Sequence, residues 1–324
     1  MRIPLQGIAV FLLLVTGTTP SGPFEVFQPA GEHCYFTPAG EGGPNVGLVV
    51  TREGVLLVDP PPPAELDAVL EALKAVTPAP VRWVVHTSYR RMQVSTWEKF
   101  AGQGALLIGS ENLDRLASRI PSPAEPGPSG APEPAVTRVF APKPPHFLFQ
   151  KRFLLFPENL EFRIIEVQSH AVTGGDVVVL VPGDKVLMTG DLFAPGVFPE
   201  IDIQPGGGDP LGWLEGMNQV IGEVPLFRSA MPQAGPELPP PPPEVERALD
   251  AYVTVIPGRG AASDLQEMKK MLEAVQKLRA QAGRALAAKR GFKTFMESPA
   301  LDEFRSFERF EAFAQLLYDA LPRK

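Results

Sequence analysis

The chain has 324 residues, 44% of them hydrophobic, and its 37 Asp and Glu against 30 Lys and Arg give a net charge of -7. This length and apolar content suit a folded protein with a substantial core, and the lack of a long basic run argues against nucleic-acid binding. Four His and one Cys leave few side chains from which a transition-metal site could be built.

Residues 1–22 are expected to form a secretory signal peptide. A short charged start, Met1 and Arg2, precedes an apolar run over 7–15 and then small, turn-forming residues. An uncleaved membrane anchor is the alternative, but the apolar run is well short of the ~20 residues that a span needs. We therefore expect an exported protein, periplasmic or extracellular, without a membrane span in its mature form. Cys34 is the only cysteine, which excludes an intrachain disulfide.

Strands and helices follow along the chain in loose alternation. Apolar runs at 46–50 and 55–58 around a Gly-containing turn predict a buried β-hairpin, and one apolar face predicts a helix over 64–76. Further strands are predicted at 81–86, 105–109, 153–156, 161–167, 177–181, 186–188 and 252–256. Further helices are predicted at 111–118, 211–220 and 264–289.

Two proline-rich stretches, 121–145 and 236–243, are expected to be surface loops because proline fixes the backbone and removes amide donors. They lie within one expected domain over 23–290. A C-terminal helical extension over 291–324 is expected to pack on that domain. Its apolar side chains recur every three or four residues, as one helix face requires, at Phe304, Phe307, Phe310, Phe313 and Leu317.

Four ordered segments carry a family resemblance. They are NVGLVVTREGVLLVD (45–59), VRWVVHTSYRRMQV (81–94), VTGGDVVVLVPGDKVLMTGD (172–191) and VIPGRG (255–260). Together they resemble the metallo-β-lactamase superfamily, most closely the exported metallo-hydrolase-like proteins associated with quinoprotein systems. The resemblance runs from about residue 45 to the C-terminus. It implies an α/β fold, an αββα four-layer sandwich of two sheets between outer helices.

The same resemblance implies a zinc site whose ligands are almost all replaced. The family's Thr-His-x-His-x-Asp-His run begins here at Thr87. Of the family's seven ligand positions, only one still holds a ligand residue, an aspartate. The seven ligand positions hold Ser88, Arg90, Met92, Gln93, Val172, Asp191 and Arg259. Zinc needs three or four N, S or O donors, and a guanidinium has no lone pair to donate. We therefore expect no zinc cofactor and no inherited hydrolysis.

Two interpretations follow for the degenerate pocket. In the structural one, Arg90, Arg259 or both stand in for the zinc charge and pair with Asp191. In the functional one, Arg90, Arg91 and Arg259 bind an anionic small molecule. The first would hold loops together, and the second would make the pocket a binding site.

A shifted metal site is a third hypothesis. His86 lies two positions before Ser88, and His170 lies two positions before Val172, so each keeps the strand face of a lost ligand. With Asp191 they would supply three donors. Histidines at strand ends are more often hydrogen-bonded structural residues, which weighs against this hypothesis.

The sequence thus favours an exported metallo-β-lactamase-like pseudoenzyme that acts as a non-catalytic binding, accessory or scaffold protein. An anionic small molecule or another protein is its expected partner, and nucleic acid is not. The alternative is a hydrolase of an ester, thioester or lactam, as in the family, that works through a shifted metal or without metal. Whether the chain is an enzyme stays open at this point.

Overall fold

The computed structural model describes most of the chain, namely residues 27–37, 44–91, 94–117, 147–224, 250 and 252–322. The expected signal peptide and both proline-rich loops lie outside these residues. No helix in the described stretches combines the length and the apolar character that crossing a bilayer requires.

The first β-sheet contains seven strands in chain order. They are β1 Gln28–Pro29, β2 Cys34–Thr37, β3 Val46–Val50, β4 Val55–Val58, β5 Val81–Val85, β6 Leu106–Ser110 and β7 Phe147–Phe149. Strands β1 to β4 pair antiparallel, and β4 to β7 pair parallel. The predicted hairpin is confirmed as β3 and β4, with Val50 opposite Val55.

The second sheet contains six strands in the order β13-β12-β11-β10-β9-β8. They are β8 Arg152–Leu155, β9 Phe162–Glu166, β10 Val177–Val181, β11 Val186–Gly190, β12 Thr254–Pro257 and β13 Ser263–Asp264. Only β11 and β12 pair parallel. All five residues of β10 are buried, which explains its continuous apolar run, since both faces of this strand are covered.

Seven α-helices complete the described part of the chain. They are α1 Pro63–Val76, α2 Val94–Gly102, α3 Glu111–Ala117, α4 Pro210–Glu223, α5 Leu265–Ala287, α6 Phe292–Met296 and α7 Phe310–Ala320. Asp209 caps α4 by accepting the Leu211 N–H at 3.0 Å, and Pro210 holds the first helical position. The sequence patterns predicted α1, α3, α4 and α5 to within a few residues but missed α2.

Helices cover the outer face of each sheet, and this confirms the αββα sandwich. Leu66 of α1 packs with Leu57 on the first sheet. Trp213 of α4 packs with Leu187 on the second. A third apolar cluster joins the facing sides of the two sheets. Each layer is therefore held by apolar side chains removed from water.

The C-terminal part packs on the second sheet's helices, but its aromatic residues do not lie on a single helix. Phe304 ends a 3₁₀ segment, and α7 begins only at Phe310. Arg309 between them has a left-handed backbone with φ of 63°, which breaks the helix. The ring of Phe313 stacks on Phe198 at 5.1 Å between centroids. Phe304, Phe310, Phe313 and Leu317 are buried and Phe307 is half-buried, although the helix is interrupted.

The two sheets are joined where β5 and β11 end. The Val177 N–H donates to the Thr87 carbonyl at 2.8 Å. Gly190, with φ of 54°, lies so near Thr87 that a Cβ added to residue 190 would come 2.0 Å from the Thr87 hydroxyl oxygen. Glycine is required here both by the backbone angle and by the contact.

We expect Gly190→Ala to lower the free energy of unfolding by about 3 kcal/mol, through left-handed strain and overpacking against Thr87. Gly104→Ala is the matched control, because Gly104 also has positive φ, 84°, but a Cβ there meets open space. The control should lose only about 1 kcal/mol. Equal losses in urea denaturation would contradict the close contact between the two loops.

Candidate functional site

The candidate site lies at the edge of the sandwich where four strands end. Strands β4 and β5 run parallel, as do β11 and β12, so each pair presents its carboxyl ends at one edge of its sheet. Asp59 follows β4, residues 86–91 follow β5, and Asp191 follows β11, while Gly258 and Arg259 follow β12. Loops from both sheets meet there.

A buried ion pair between Arg91 and Asp191 joins these loops. The Arg91 Nη2 donates to Asp191 Oδ1 and also to the Gly258 carbonyl at 3.1 Å. The two side chains are only 11% and 10% exposed, so the pair is largely shielded from water. The structural interpretation of the sequence gave this pairing to Arg90, Arg259 or both, and the structure gives it to Arg91.

The ion pair keeps Asp191 charged. Burial acts to raise the pKa of Asp191, but the charge and hydrogen bond of Arg91, with the charges of Arg90 and Arg259, outweigh it and hold this pKa below its usual range. Burial likewise opposes the charge on Arg91, yet Asp191 and Asp59 raise the Arg91 pKa. Each partner therefore stabilises the ionised form of the other.

Asp59 supports the loop that carries Arg91. Its Oδ1 accepts the Thr87 N–H at 2.7 Å, and its Oδ2 accepts the Thr87 hydroxyl at 2.6 Å. Asp59 is buried, and this burial raises its pKa to about 6, although Arg91 and the Thr87 bonds act in the opposite direction. The carboxyl group is thus poised to titrate in mildly acidic solution.

Two further buried groups lie near the pair. Asp176 accepts the Thr173 N–H at 2.8 Å and its hydroxyl at 2.5 Å, and burial raises the Asp176 pKa to about 7. His86 is buried, and burial with the charge of Arg91 lowers the His86 pKa to about 3. The imidazole is therefore neutral at physiological pH.

The other arginines line an adjacent pocket. Arg90 bonds Glu200 through the backbone carbonyl at 3.3 Å and the carboxylate at 3.5 Å. Arg309 of the C-terminal part reaches the same carboxylate at 3.2 Å. Arg90, Arg259 and Asp191 all line this pocket, which is partly open to solvent and has a volume of about 20 Å³. Glu200 and Arg309 are pocket residues that sequence reasoning missed, since neither stands at a ligand position of the resembling family.

Of the remaining predicted positions, the two that the structure describes, Ser88 and Val172, do not line the pocket. Ser88 and Val172 are buried. The Ser88 carbonyl accepts the Arg91 N–H at 3.0 Å, and the Val172 carbonyl accepts the Asp202 N–H at 2.9 Å. Met92 and Gln93 lie outside the described residues.

The hypothesis of a shifted metal site is not supported by the geometry. His170 is exposed, and its Nδ1 lies 2.9 Å from the Gly207 carbonyl. Within the described stretches, no three His, Cys, Asp or Glu side chains are grouped so that they could hold a metal ion. His86, His170 and Asp191 therefore do not form a donor set.

The described residues around Asp191 do not suit a zinc ion. The carboxylate is already bound by a guanidinium, and the neighbouring cations Arg90 and Arg259 have no lone pair to offer. A divalent cation at this position would be repelled by the three positive charges of Arg90, Arg91 and Arg259. Carboxylate oxygen would be the one type of ligand available to it among the described residues.

The αββα sandwich with its site at the strand ends defines the metallo-β-lactamase fold. A stereoselective inverting sec-alkylsulfatase, Pisa1 from Pseudomonas sp., is similar over 92% of this chain and 50% of its own, with TM-score 0.62 and 13% identity. DIM-1 metallo-β-lactamase is similar over 77% and 96%, with TM-score 0.51 and 14% identity. A metallo-β-lactamase from Pontibacter korlensis is similar over 77% and 98%, with TM-score 0.50 and 16% identity.

These likenesses establish the fold alone, because the identities are low. The chain spans about half the length of the alkylsulfatase. No protein-family profile matches the sequence, and no curated protein does.

Asp59→Asn should change how stability depends on pH. A carboxyl group whose pKa rises on folding, here from 3.8 to about 6, takes up a proton on folding. Its stabilising contribution is complete below about pH 4 and is lost as the pH rises through about 6. Relative to the variant, the wild type should therefore lose about 3 kcal/mol of unfolding free energy between about pH 4 and pH 7.

Urea denaturation of both proteins across this range measures that difference. His86, with a lowered pKa, contributes the opposite slope, but it is present in both proteins and cancels. Asparagine is the suitable replacement because it tolerates the positive φ of 52° at this position. A difference that stays constant with pH would contradict the raised pKa of Asp59.

Arg91→Met should cost about 3 to 5 kcal/mol of stability, because it leaves the buried Asp191 charge without its partner. Arg90→Met is the matched control, since Arg90 is 27% exposed and pairs with a half-exposed Glu200. The control should lose less than about 1 kcal/mol. Chemical denaturation at neutral pH compares them, and a larger loss for Arg90 would overturn the assignment of the pair.

Proposed function

We propose that this chain is a non-catalytic binding protein built on the metallo-β-lactamase fold, with an internal ion pair in place of a metal centre. The observation that carries the proposal is the Arg91 guanidinium bound to Asp191 and to the Gly258 carbonyl. In the resembling family, the position of Asp191 belongs to a zinc ligand. A permanent cation supplies the positive charge there but neither an open coordination position nor an acidified water.

The replaced ligand positions support the same proposal. On the family resemblance, six of the seven zinc-ligand positions hold residues other than the expected ligands, and the neighbouring cations oppose a metal. A scaffold commonly persists after its original chemistry has been lost. We further propose that the protein is exported, on the strength of the N-terminal charged start, apolar run and small residues.

The proposed ligand is an anionic small molecule that contacts Arg90 and Arg259. Both arginines line the pocket beside Asp191. Arg91, which the sequence grouped with them, forms an ion pair with Asp191 and does not line the pocket. A protein partner is the other form that a binding or accessory role could take.

The alternative function is a hydrolase of an ester, thioester or lactam. The fold of a sec-alkylsulfatase and of two metallo-β-lactamases is the observation that favours it. In a metal-free version, the buried carboxyl groups of Asp59 and Asp176, with pKa values raised to about 6 and 7, are the candidate proton carriers.

Metal analysis combined with an activity screen separates the two functions. Protein purified without chelator should contain less than about a tenth of an equivalent of zinc, iron or manganese, because the described residues include no group of three donors. It should not cleave ester, thioester, lactam or sec-alkyl sulfate substrates, with or without added zinc.

Asp191→Asn, Asp59→Asn and Asp176→Asn are the controls for contaminating hydrolases in this screen. Turnover that is equal in the wild type and in all three variants comes from a contaminant. Stoichiometric metal, or turnover that any of the three variants loses while it stays folded, would overturn the non-catalytic function.

A further inference from the structure

The second half of helix α5 and the segment that follows it carry a dense group of positive charges. Between Glu273 and Glu297 the sequence contains six Lys or Arg residues and no Asp or Glu, although the whole chain has a net charge of -7. All six side chains are exposed. We call them the basic face: Lys277, Arg279, Arg284, Lys289, Arg290 and Lys293.

The basic face is not neutralised by its own protein. Lys277 lies 3.5 Å from a carboxylate oxygen of Glu303, and both side chains are more than half exposed, so the pair is weak. The other five cations have no carboxylate partner in the part of the chain that the structure describes. Their charges are therefore available to a partner.

Stabilisation of the helix explains only a small part of the basic face. A cation in the last turn of a helix is stabilised by the partial negative charge of the carboxyl end. Arg284 alone occupies the last turn of α5. Two of the other cations precede that turn, and three follow the end of the helix. Neither the helix end nor an internal ion pair accounts for most of these charges.

Packing holds the basic face in one arrangement. The Tyr318 hydroxyl of α7 donates to the Arg290 carbonyl. The Tyr318 ring also lies 5.5 Å, between centroids, from the rings of Phe292 and Phe295. The opposite side of α5 is buried in the core of the second sheet. Because the backbone is fixed, the cations are presented as a preformed surface.

The composition of the basic face restricts its partner. The centre of a protein–protein interface is depleted in charge and rich in aromatic side chains, but no large apolar side chain is exposed between Glu273 and Glu297. A nucleic-acid-binding domain is basic as a whole, with a pI above about 9, whereas this chain has a pI of about 5.3. An anionic lipid bilayer needs only a local cluster of about four to eight Lys or Arg.

We propose that the basic face is a docking surface for an anionic lipid bilayer, whose headgroup phosphates contact these Lys and Arg side chains. Lys277 and Arg284 are about two helical turns apart and project from the same side of α5. Lys289, Arg290 and Lys293 extend the surface beyond the helix end. None of these residues lines the pocket beside Asp191, so the inference goes beyond the proposed binding function and does not depend on it.

Co-sedimentation of the full chain with lipid vesicles tests the inference. Vesicles of phosphatidylcholine with about 30% phosphatidylglycerol are compared with pure phosphatidylcholine vesicles at about 0.1 M salt. The anionic vesicles should bind the protein at least about tenfold more tightly. This binding should fall by at least about tenfold at about 0.5 M salt, because salt screens the attraction.

A triple variant connects the binding to the basic face. Arg284→Gln, Arg290→Gln and Lys293→Gln together should weaken binding to the anionic vesicles by at least about tenfold, since each cation near an anionic surface contributes about fivefold. The matched control removes three exposed cations from the side of the first sheet, Arg52→Gln, Lys74→Gln and Lys99→Gln, and should leave the affinity unchanged. Both variants lose the same charge, and circular dichroism melts show whether they are folded.

Four outcomes would overturn the inference. The first is equal binding to the two kinds of vesicle, and the second is unchanged binding of the folded basic-face variant. The third is an equal loss in the control variant, which would show that only net charge matters. The fourth is tighter binding to duplex DNA than to anionic vesicles at the same phosphate concentration, which would show a different partner.

Discussion

The ion pair between Arg91 and Asp191 is the interaction on which the rest of this site depends. It lies where loops from the two sheets meet, and the same guanidinium bonds the Gly258 carbonyl. The side chain of Asn45 reinforces this junction from the first sheet by donating to the Pro257 and Gly260 carbonyls, both at 2.8 Å. Side chains of the protein itself thus tie together the loops of the two sheets.

A buried ion pair is not by itself a strong source of stability, because desolvation offsets most of the Coulomb attraction. Its value here is geometric. Arg91 neutralises Asp191, and Arg90 and Arg309 share the single carboxylate of Glu200, so the pocket beside the pair keeps an excess of positive charge. The pair therefore determines both the position of the loops and the sign of the charge that the pocket presents.

Much of the fold could be predicted from the sequence because its strands are buried and nearly uniform in composition, as in Val177–Val181. The structure of the C-terminal part was harder to predict, because the spacing of its aromatic residues fits a 3₁₀ segment followed by a helix as well as it fits one helix. The helix is interrupted by the left-handed backbone of Arg309, which this spacing does not indicate. Which of Arg90 and Arg91 pairs with Asp191 could not be predicted from the sequence either. Both lie in the single 3₁₀ turn Tyr89–Arg91, in which successive side chains point about 120° apart. Residues remote in sequence, such as Glu200 and Arg309, reach the pocket only through tertiary packing.

A double-mutant cycle on Arg91 and Asp191 tests the central claim most directly. Unfolding free energies would be measured for the wild type, Arg91→Met, Asp191→Asn and the double variant at neutral pH. The account predicts a coupling energy above about 1.5 kcal/mol, because the second substitution removes a charge that the first has left unpaired. Additive effects, with a coupling energy below about 0.5 kcal/mol, would show that the two side chains do not depend on each other and would contradict the account.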